Sequence, residues 1–351
     1  MSTRGSGVNQ QTPTLSDADL ASTGPVSASR GAPRFARLRD FTLIPVIIVL
    51  CVVGYLVDPI FLSSGNIINV LQQQTELSLL VLAEAVILIS GKFDLSLEST
   101  IGVAPALAMV LVIPKSANGI GTDWPVWTAI PVCLIIGAII GAFNGFMILR
   151  FRLSAFIVTL GMLITLRGVQ VGVTGGNSLS QVPPAFLYLG SADWLGLPLS
   201  IWICAVLFVI GIVLLGYFRH GRSVYAIGGN VDAAKAAGIR TDRVIWTVLI
   251  IGGVLAAFAG ILLTGRLGAD QASQGQNMIF TVFAASVIGG ISLDGGKGTI
   301  FGALCGVLTL GLIGNVLTLA HVSPDWLGAI NGVIILGALM LSRITSGKAQ
   351  D

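Results

Sequence analysis

Residues 126–149 read VWTAIPVCLIIGAIIGAFNGFMIL, a run without a single Asp, Glu, Lys, Arg or His. At 1.5 Å per helical residue such a run extends about 36 Å, enough to cross the ~30 Å hydrocarbon core of a bilayer. The rest of the chain is of the same kind. Of 351 residues, 54% are hydrophobic and 10% charged, and the mean hydropathy is +0.91; an ordinary soluble domain carries about a quarter charged residues. Ten spans of roughly 20 residues consume about 200 positions, close to what that hydrophobic fraction supplies. A polytopic helical protein is expected, and a single-span anchor on a soluble domain is excluded. The 45 glycines exceed the average usage of about 7%, and in lipid small residues let helices approach closely.

Apolar stretches between turn signals place spans at 41–57, 67–90, 95–113, 126–149, 154–174, 199–217, 244–265, 277–291, 298–320 and 326–342. The eighth is short and suits a broken helix sheltered by protein. Residues 1–40, rich in Ser, Thr, Gly, Pro and Arg without an apolar period, are expected to form a disordered tail. No signal peptide precedes the run from Phe41, and residues 344–351 are read as a second short tail. With a cytoplasmic N-terminus, sixteen of the nineteen Lys and Arg residues fall on inner segments; only Lys115 and Arg266 lie outside, and Arg167 lies within the fifth span. The expected fold is therefore an all-α transmembrane bundle of about ten spans with both termini cytoplasmic, a membrane domain over 41–343, and a long inner loop at 218–243. The net charge of +3 reflects this orientation rather than nucleic-acid binding.

Enzyme chemistry has few parts here. Cys51, Cys133, Cys204 and Cys305 lie singly in apolar runs, and His220 and His321 stand far apart, so no metal site or Ser-His pair is expected. Gly137, Gly141 and Gly145 sit four apart, as do Gly168, Gly172 and Gly176, so each group shares a helix face. Both groups are expected to serve close packing within the bundle, with pore lining as the alternative.

The inner loop reads FRHGRSVYAIGGNVDAAKAAGIRTDRV over 218–244. Asn230 is a good helix N-cap, Asp232 sits in the first turn, alanine fills the interior and Gly238 ends it. A short helix of small side chains in a connecting loop can dock into a groove on another protein. A solvated loop obeying the charge rule would explain the arginines but not the Gly-Gly-Asn start and the alanine run.

This loop resembles the cytoplasmic loop of permease subunits of simple-sugar ABC importers, the ribose/xylose/arabinose/galactose branch. The matching positions are Gly229, Asn230, Ala233, Ala234, Gly238 and Ile239. GKFDLSLES (91–99), NGFMILRFRLSAFIVTLGMLITLRG (144–168) and VIGGISLDGGKGTIFGALCG (287–306) are similar to the same family, although Lys92 and Glu98 stand where glycines are commonest. The resemblance implies a monosaccharide or polyol as cargo and a cell-membrane location. It implies ATPase subunits that use ATP and Mg, a second permease copy or a paralogue, and an extracytoplasmic sugar-binding protein as partners, with lipid around and no cofactor or metal on this chain. It assigns ATPase coupling to Gly228, Gly229, Asn230, Asp232, Ala233, Ala234, Gly238 and Ile239, and a gating or loop motif to Gly91, Asp94, Ser96, Gly295 and Gly296. Read physically, Asp94 and Ser96 precede a helix and can cap it. Consistent with a separate motor, no G-x-x-x-x-G-K-[ST] occurs: Lys297 follows Gly296 but precedes Gly298.

Polar groups at membrane depth are functional candidates by default. Glu76 and Glu84 fall within about 40° of one helix face, with Gln73 near the start of that helix. Arg167 and Gln170 lie in the fifth span, Asn144 and Asn177 near span ends, and Asn315 and Asn331 in spans nine and ten. Together they can form a translocation path for a hydroxylated solute; the alternative is structural pairing, Glu84 with Arg167 above all. A carrier driven by protons or sodium, with Glu76 and Glu84 titrating, is the competing function.

Overall fold

The structure is a computed structural model that describes residues 43–122 and 124–323, together with eight positions between 326 and 340. The two expected tails, part of the tenth span and Asn331 lie outside the described residues. Thirteen α-helices occur among the described residues: α1 Leu43–Val57, α2 Ser64–Gln73, α3 Thr75–Ile89, α4 Leu97–Val112, α5 Ala129–Arg150, α6 Ala155–Thr174, α7 Pro184–Ser191, α8 Leu199–Tyr217, α9 Arg219–Gly229, α10 Val231–Ala236, α11 Thr241–Leu267, α12 Met278–Ile288 and α13 Ile300–Leu319. The mostly helical class agrees with the composition.

Among the described residues, five helices are long and apolar enough to cross a membrane: α5 with its leading turn from Val126, α6, α8, α11 and α13. α1, α4 and α12 are apolar but shorter. The span expected at 67–90 is interrupted at Gln74, which separates α2 from α3. Polar residues 72–74 sit at this break, where a side chain can compete for the backbone groups; Thr75 Oγ1 donates to the Gln72 carbonyl at 2.7 Å. The eighth span is short, as expected: α12 covers 278–288 of the expected 277–291. One segment was not anticipated: α7 starts at a Pro-Pro pair, and β1 (Asp193–Trp194) and β2 (Leu197–Pro198) form a hairpin. Leu195 and Gly196 at its tip both have positive φ, as a tight hairpin turn requires.

Helix α3 is the buried strut of the bundle, with fourteen of its fifteen residues inside. Helix α11, 27 residues long, packs on α5 through glycine. A methyl on Gly137 would overlap the Gly253 carbonyl oxygen, one on Gly253 would overlap that of Gly137, and one on Gly141 would overlap that of Leu249. The first glycine group thus packs within the bundle as expected. The second does not: Gly168 and Gly172 have nothing within 4 Å of an added Cβ, and Gly176 lies beyond α6 with φ +74. Helix α6 is buried on one narrow face only, so its glycines reach no neighbour among the described residues. Cys133, Cys204 and Cys305 are buried and Cys51 is half-buried.

Candidate functional site

The inner loop folds as two consecutive helices. α9 ends at Gly229, Asn230 takes extended backbone, and its side-chain oxygen accepts from the Ala233 N–H at 2.9 Å. This is the N-cap the sequence predicts. Ala234 is buried, Asp232 and Ala233 are at the surface, and Gly238 ends the turn with φ +81. The Ile239 N–H returns to the Ala234 carbonyl at 3.0 Å, which closes the helix end.

Three glycine loops converge beneath this element. The Gly296 N–H donates to the Ile89 carbonyl at 2.8 Å. A Cβ on Gly228 would overlap that carbonyl oxygen and stand 2.5 Å from Gly296 N. One on Gly295 would stand 2.8 Å from Gly91 Cα, and one on Gly296 2.7 Å from Gly229 Cα. Gly91, Gly295 and Gly296 also have positive φ, a region in which side chains are strained. Tyr225 adds a bond from its hydroxyl to the Gly298 carbonyl at 2.9 Å. The end of α3, the end of α9 and the loop between α12 and α13 therefore meet backbone to backbone, and displacement of one must displace the others.

Beside this junction lies a buried polar cluster. Asp94 Oδ1 accepts from the Ser96 N–H at 2.9 Å and the Ser96 hydroxyl at 2.6 Å, and Asn144 Nδ2 donates to Asp94 Oδ2 at 3.2 Å and to Ser96 Oγ at 2.8 Å. Ser96 occupies the N-cap position of α4 but makes no side-chain cap bond. The capping role expected for it is thus replaced by a turn that Asp94 holds, because the hydroxyl is already committed to the carboxylate. Burial pushes the Asp94 carboxyl up to about 6, while donation from Ser96 and Asn144 pulls it back. Glu84, fully buried in α3, faces the Asp94 N–H from 3.4 Å.

Arg167 does not meet Glu84. Its Nη2 lies 3.5 Å from Glu98 Oε1, and its Nη1 donates to Gln170 Oε1 at 2.8 Å and to the Gln274 carbonyl at 2.7 Å. The sequence fixes which helix face Arg167 occupies but not which carboxylate that face meets, and α6 packs on α4, the helix that carries Glu98, rather than on α3. Gln170 is buried and donates to the Gln271 carbonyl at 3.0 Å. Glu76 is held by Arg266, Nε to Oε1 at 2.8 Å, so Glu76 and Glu84 share α3 but not an environment. Asp270, with a backbone bridge to Leu179, is fully buried and its carboxylate has no hydrogen-bond partner among the described residues; burial pushes it up to about 8, with Arg167 pulling down.

Two expected path residues flank a recess of about 300 Å³ at the other end of α3. Gln73 and Asn315 line it, and Asn315 exchanges two amide bonds with Asn66, at 2.8 and 3.0 Å. Asn177 makes only a local bond to the Gly175 carbonyl at 3.3 Å and joins neither group. Sequence reasoning overlooked Asn66, Gln74, Glu98, Arg266, Asp270 and Gln274 as site residues. The run DQASQGQN at 270–277, polar between two apolar helices, was the available signal for the last two.

A family model described as the branched-chain amino acid transport system / permease component matches residues 66–339. The chain belongs to this permease family. It is 31% identical over 311 residues to the ribose import permease protein RbsC of Haemophilus influenzae, covering 88% of this chain and 94% of that one. It is 32% identical over 325 residues to the protein of the same name from Escherichia coli strain K12, covering 92% and 98%. It is 28% identical over 369 residues to the xylose transport system permease protein XylH of H. influenzae, covering 88% and 96%. No solved structure matches the chain. This permease is an integral, multi-pass membrane protein, and the family match spans the Asn230-capped helix, the three glycine loops and the recess.

Proposed function

We propose that the chain is the membrane-spanning permease of an ABC importer for a monosaccharide, a pentose, hexose or related polyol, in the cytoplasmic membrane. A separate ATPase, the user of ATP and Mg, docks on the α9–α10 element. A second permease copy or a paralogue completes the pathway, and an extracytoplasmic binding protein delivers the sugar. The chain does no covalent chemistry on its cargo and holds no cofactor. The observation that carries this reading is the glycine junction: the element resembling an ATPase-docking loop is locked to the ends of α3, α12 and α13 through Ile89, Gly91, Gly228 and Gly296. Movement of α10 is thereby delivered to helices in the middle of the bundle, as alternating access driven by a foreign motor requires. The names of the relatives support sugar as the cargo class. Gly91, Asp94, Ser96 and Gly295 form the hinge beside that contact. The ion-driven carrier has weaker support, because Glu76 is paired with Arg266.

The test is uptake of labelled pentoses and hexoses by cells carrying the full assembly, then by cells lacking the ATPase. Accumulation is expected to need the ATPase and to survive a protonophore while ATP lasts. Uptake by this chain alone that collapses with the proton or sodium gradient would establish the carrier instead.

A further inference from the structure

The recess at the start of α3 lies at the opposite end of that helix from the glycine junction, about 22 Å away for a 15-residue helix. Its walls come from α2 through Val70 and Gln73, and from three further helices: α3 with the Gln74 break and Leu77, α12 through Thr281, and α13 through Leu310, Gly311, Gly314, Asn315 and Thr318. The far ends of these same three helices are what the junction ties together: α3 ends at Ile89, and the loop bearing Gly295 and Gly296 joins α12 to α13. A force on α10 thus reaches three of the four helices that wall this recess.

The lining is chemically unusual for helices at membrane depth. Three primary amides, Gln73, Gln74 and Asn315, and two hydroxyls, Thr281 and Thr318, line a space several times the size of a water molecule beside apolar Val70, Leu77 and Leu310; the Thr318 hydroxyl donates to the Gly314 carbonyl at 2.8 Å. Asn315 is oriented by its reciprocal bonds to Asn66, and Gln74 is seated on Gly311, where a Cβ would stand 2.7 Å from the Gln74 side chain. Amides and hydroxyls without a fixed charge match an uncharged polyhydroxylated ligand, since each offers both donor and acceptor. The lining carries no carboxylate and no cation to select an ionic solute.

We infer that this recess, closed by Gln73, Gln74, Thr281, Gly314, Asn315 and Thr318, holds the neutral polyol or sugar during its passage. The inference rests on the import reading above and adds the site of contact. The amides of Gln73 and Gln74 and the hydroxyl of Thr281 offer the solute hydrogen bonds that replace those lost to water, and movement of α3, α12 and α13 changes the width of the recess.

The test uses the full assembly in cells and labelled pentoses and hexoses as probes. Gly314 has nothing within 4 Å of an added Cβ and sits in mid-helix, so Gly314→Leu fills the recess without a clash and improves helix propensity. It is expected to reach the membrane at the parent level, to melt no lower, and to lose at least nine-tenths of saturated uptake. Thr281→Val, which keeps the shape and removes the hydroxyl, is expected to lower saturated uptake about three- to thirty-fold, the range of one lost hydrogen bond. Normal uptake by Gly314→Leu in intact, stable protein overturns the recess alone. Failure of the unaltered assembly to import any of the sugars overturns the import reading and the recess with it.

Discussion

Replacing Gly228 by alanine tests whether the docking element is held to the bundle by backbone contact. The added methyl would overlap the Ile89 carbonyl oxygen, stand 2.5 Å from Gly296 N and 3.0 Å from the Ile89 carbonyl carbon. All three are backbone atoms that no rotamer change can move. Because the methyl would sit against both Ile89 O and Gly296 N, relief requires either that α9 retreat from α3 or that the methyl wedge open the Gly296-to-Ile89 hydrogen bond of 2.8 Å. Overpacking costs about 1–3 kcal/mol and the lost bond about 1 kcal/mol, so the junction weakens by about 2–4 kcal/mol. For a chain of 351 residues that cost corresponds to a fall in melting temperature of roughly 3–5 °C and, because the two sides of the junction are no longer in register, to uptake reduced more than tenfold. The neighbouring Gly229→Ala is the control: its Cβ would meet nothing within 4 Å and its φ is not positive, so it is expected to melt with the parent. Thermal unfolding of purified protein, read by size-exclusion recovery, and uptake at saturating sugar are the measurements. Gly228→Ala that melts and transports like the parent, or Gly229→Ala that falls with it, refutes the packing argument.

Three further outcomes follow from the buried polar groups. Arg266→Met strands Glu76, which is 1% exposed, and is expected to cost about 3–5 kcal/mol; Arg266→Met combined with Glu76→Gln should recover most of it, and a double variant no more stable than the single would contradict the pairing. Asn144→Leu removes the amide that donates to Asp94 and Ser96 and is expected to destabilise by about 1–3 kcal/mol, read as a lower melting temperature; no change would show that the amide is dispensable. Asp270 keeps its proton in the folded state up to about pH 8, whereas an unfolded aspartate releases it near pH 4. Stability is therefore full below about pH 4 and falls as the pH rises toward 8, by up to about 1.4 kcal/mol per unit. Asp270→Asn removes that slope, so its advantage in melting temperature over the parent should widen from pH 5 to pH 8, and parallel curves would rule the effect out.

Much of the architecture could be read from composition because lipid makes one demand on every span: enough apolar length. That demand is indifferent to interruptions, which is why the break at Gln74 and the short helix Pro184–Ser191 escaped notice. Local chemistry was equally legible where it is self-contained, as in the Asn230 cap, whose acceptor and donor lie three residues apart. What depends on a neighbour was not. Two glycine stripes with the same spacing have opposite fates, Gly137 and Gly141 filled by α11, Gly168 and Gly172 facing open space, because spacing defines a helix face and says nothing of what lies opposite. Arg167 and its carboxylate are the same case: Glu84 and Glu98 are both buried glutamates, and only the packing of α6 on α4 selects Glu98.

The glycine loops carry the argument one step further. Gly91, Gly228 and Gly295 are separated by well over sixty residues each in the chain, and each alone reads as an ordinary turn. Brought together they leave no room for a side chain at Gly228, Gly295 or Gly296. A junction made of backbone cannot yield by changing rotamers, so it transmits displacement where a cushion of leucines would absorb it. The Asn230 helix sits on one side of that junction, and α3, α12 and α13 leave from the other toward the recess. Loss of stiffness there should uncouple the two ends even when both remain folded: a glycine junction loosened by Gly228→Ala is expected to leave ATP hydrolysis by the docked motor running while sugar uptake fails, whereas filling the recess with Gly314→Leu blocks uptake with the junction and its melting temperature intact.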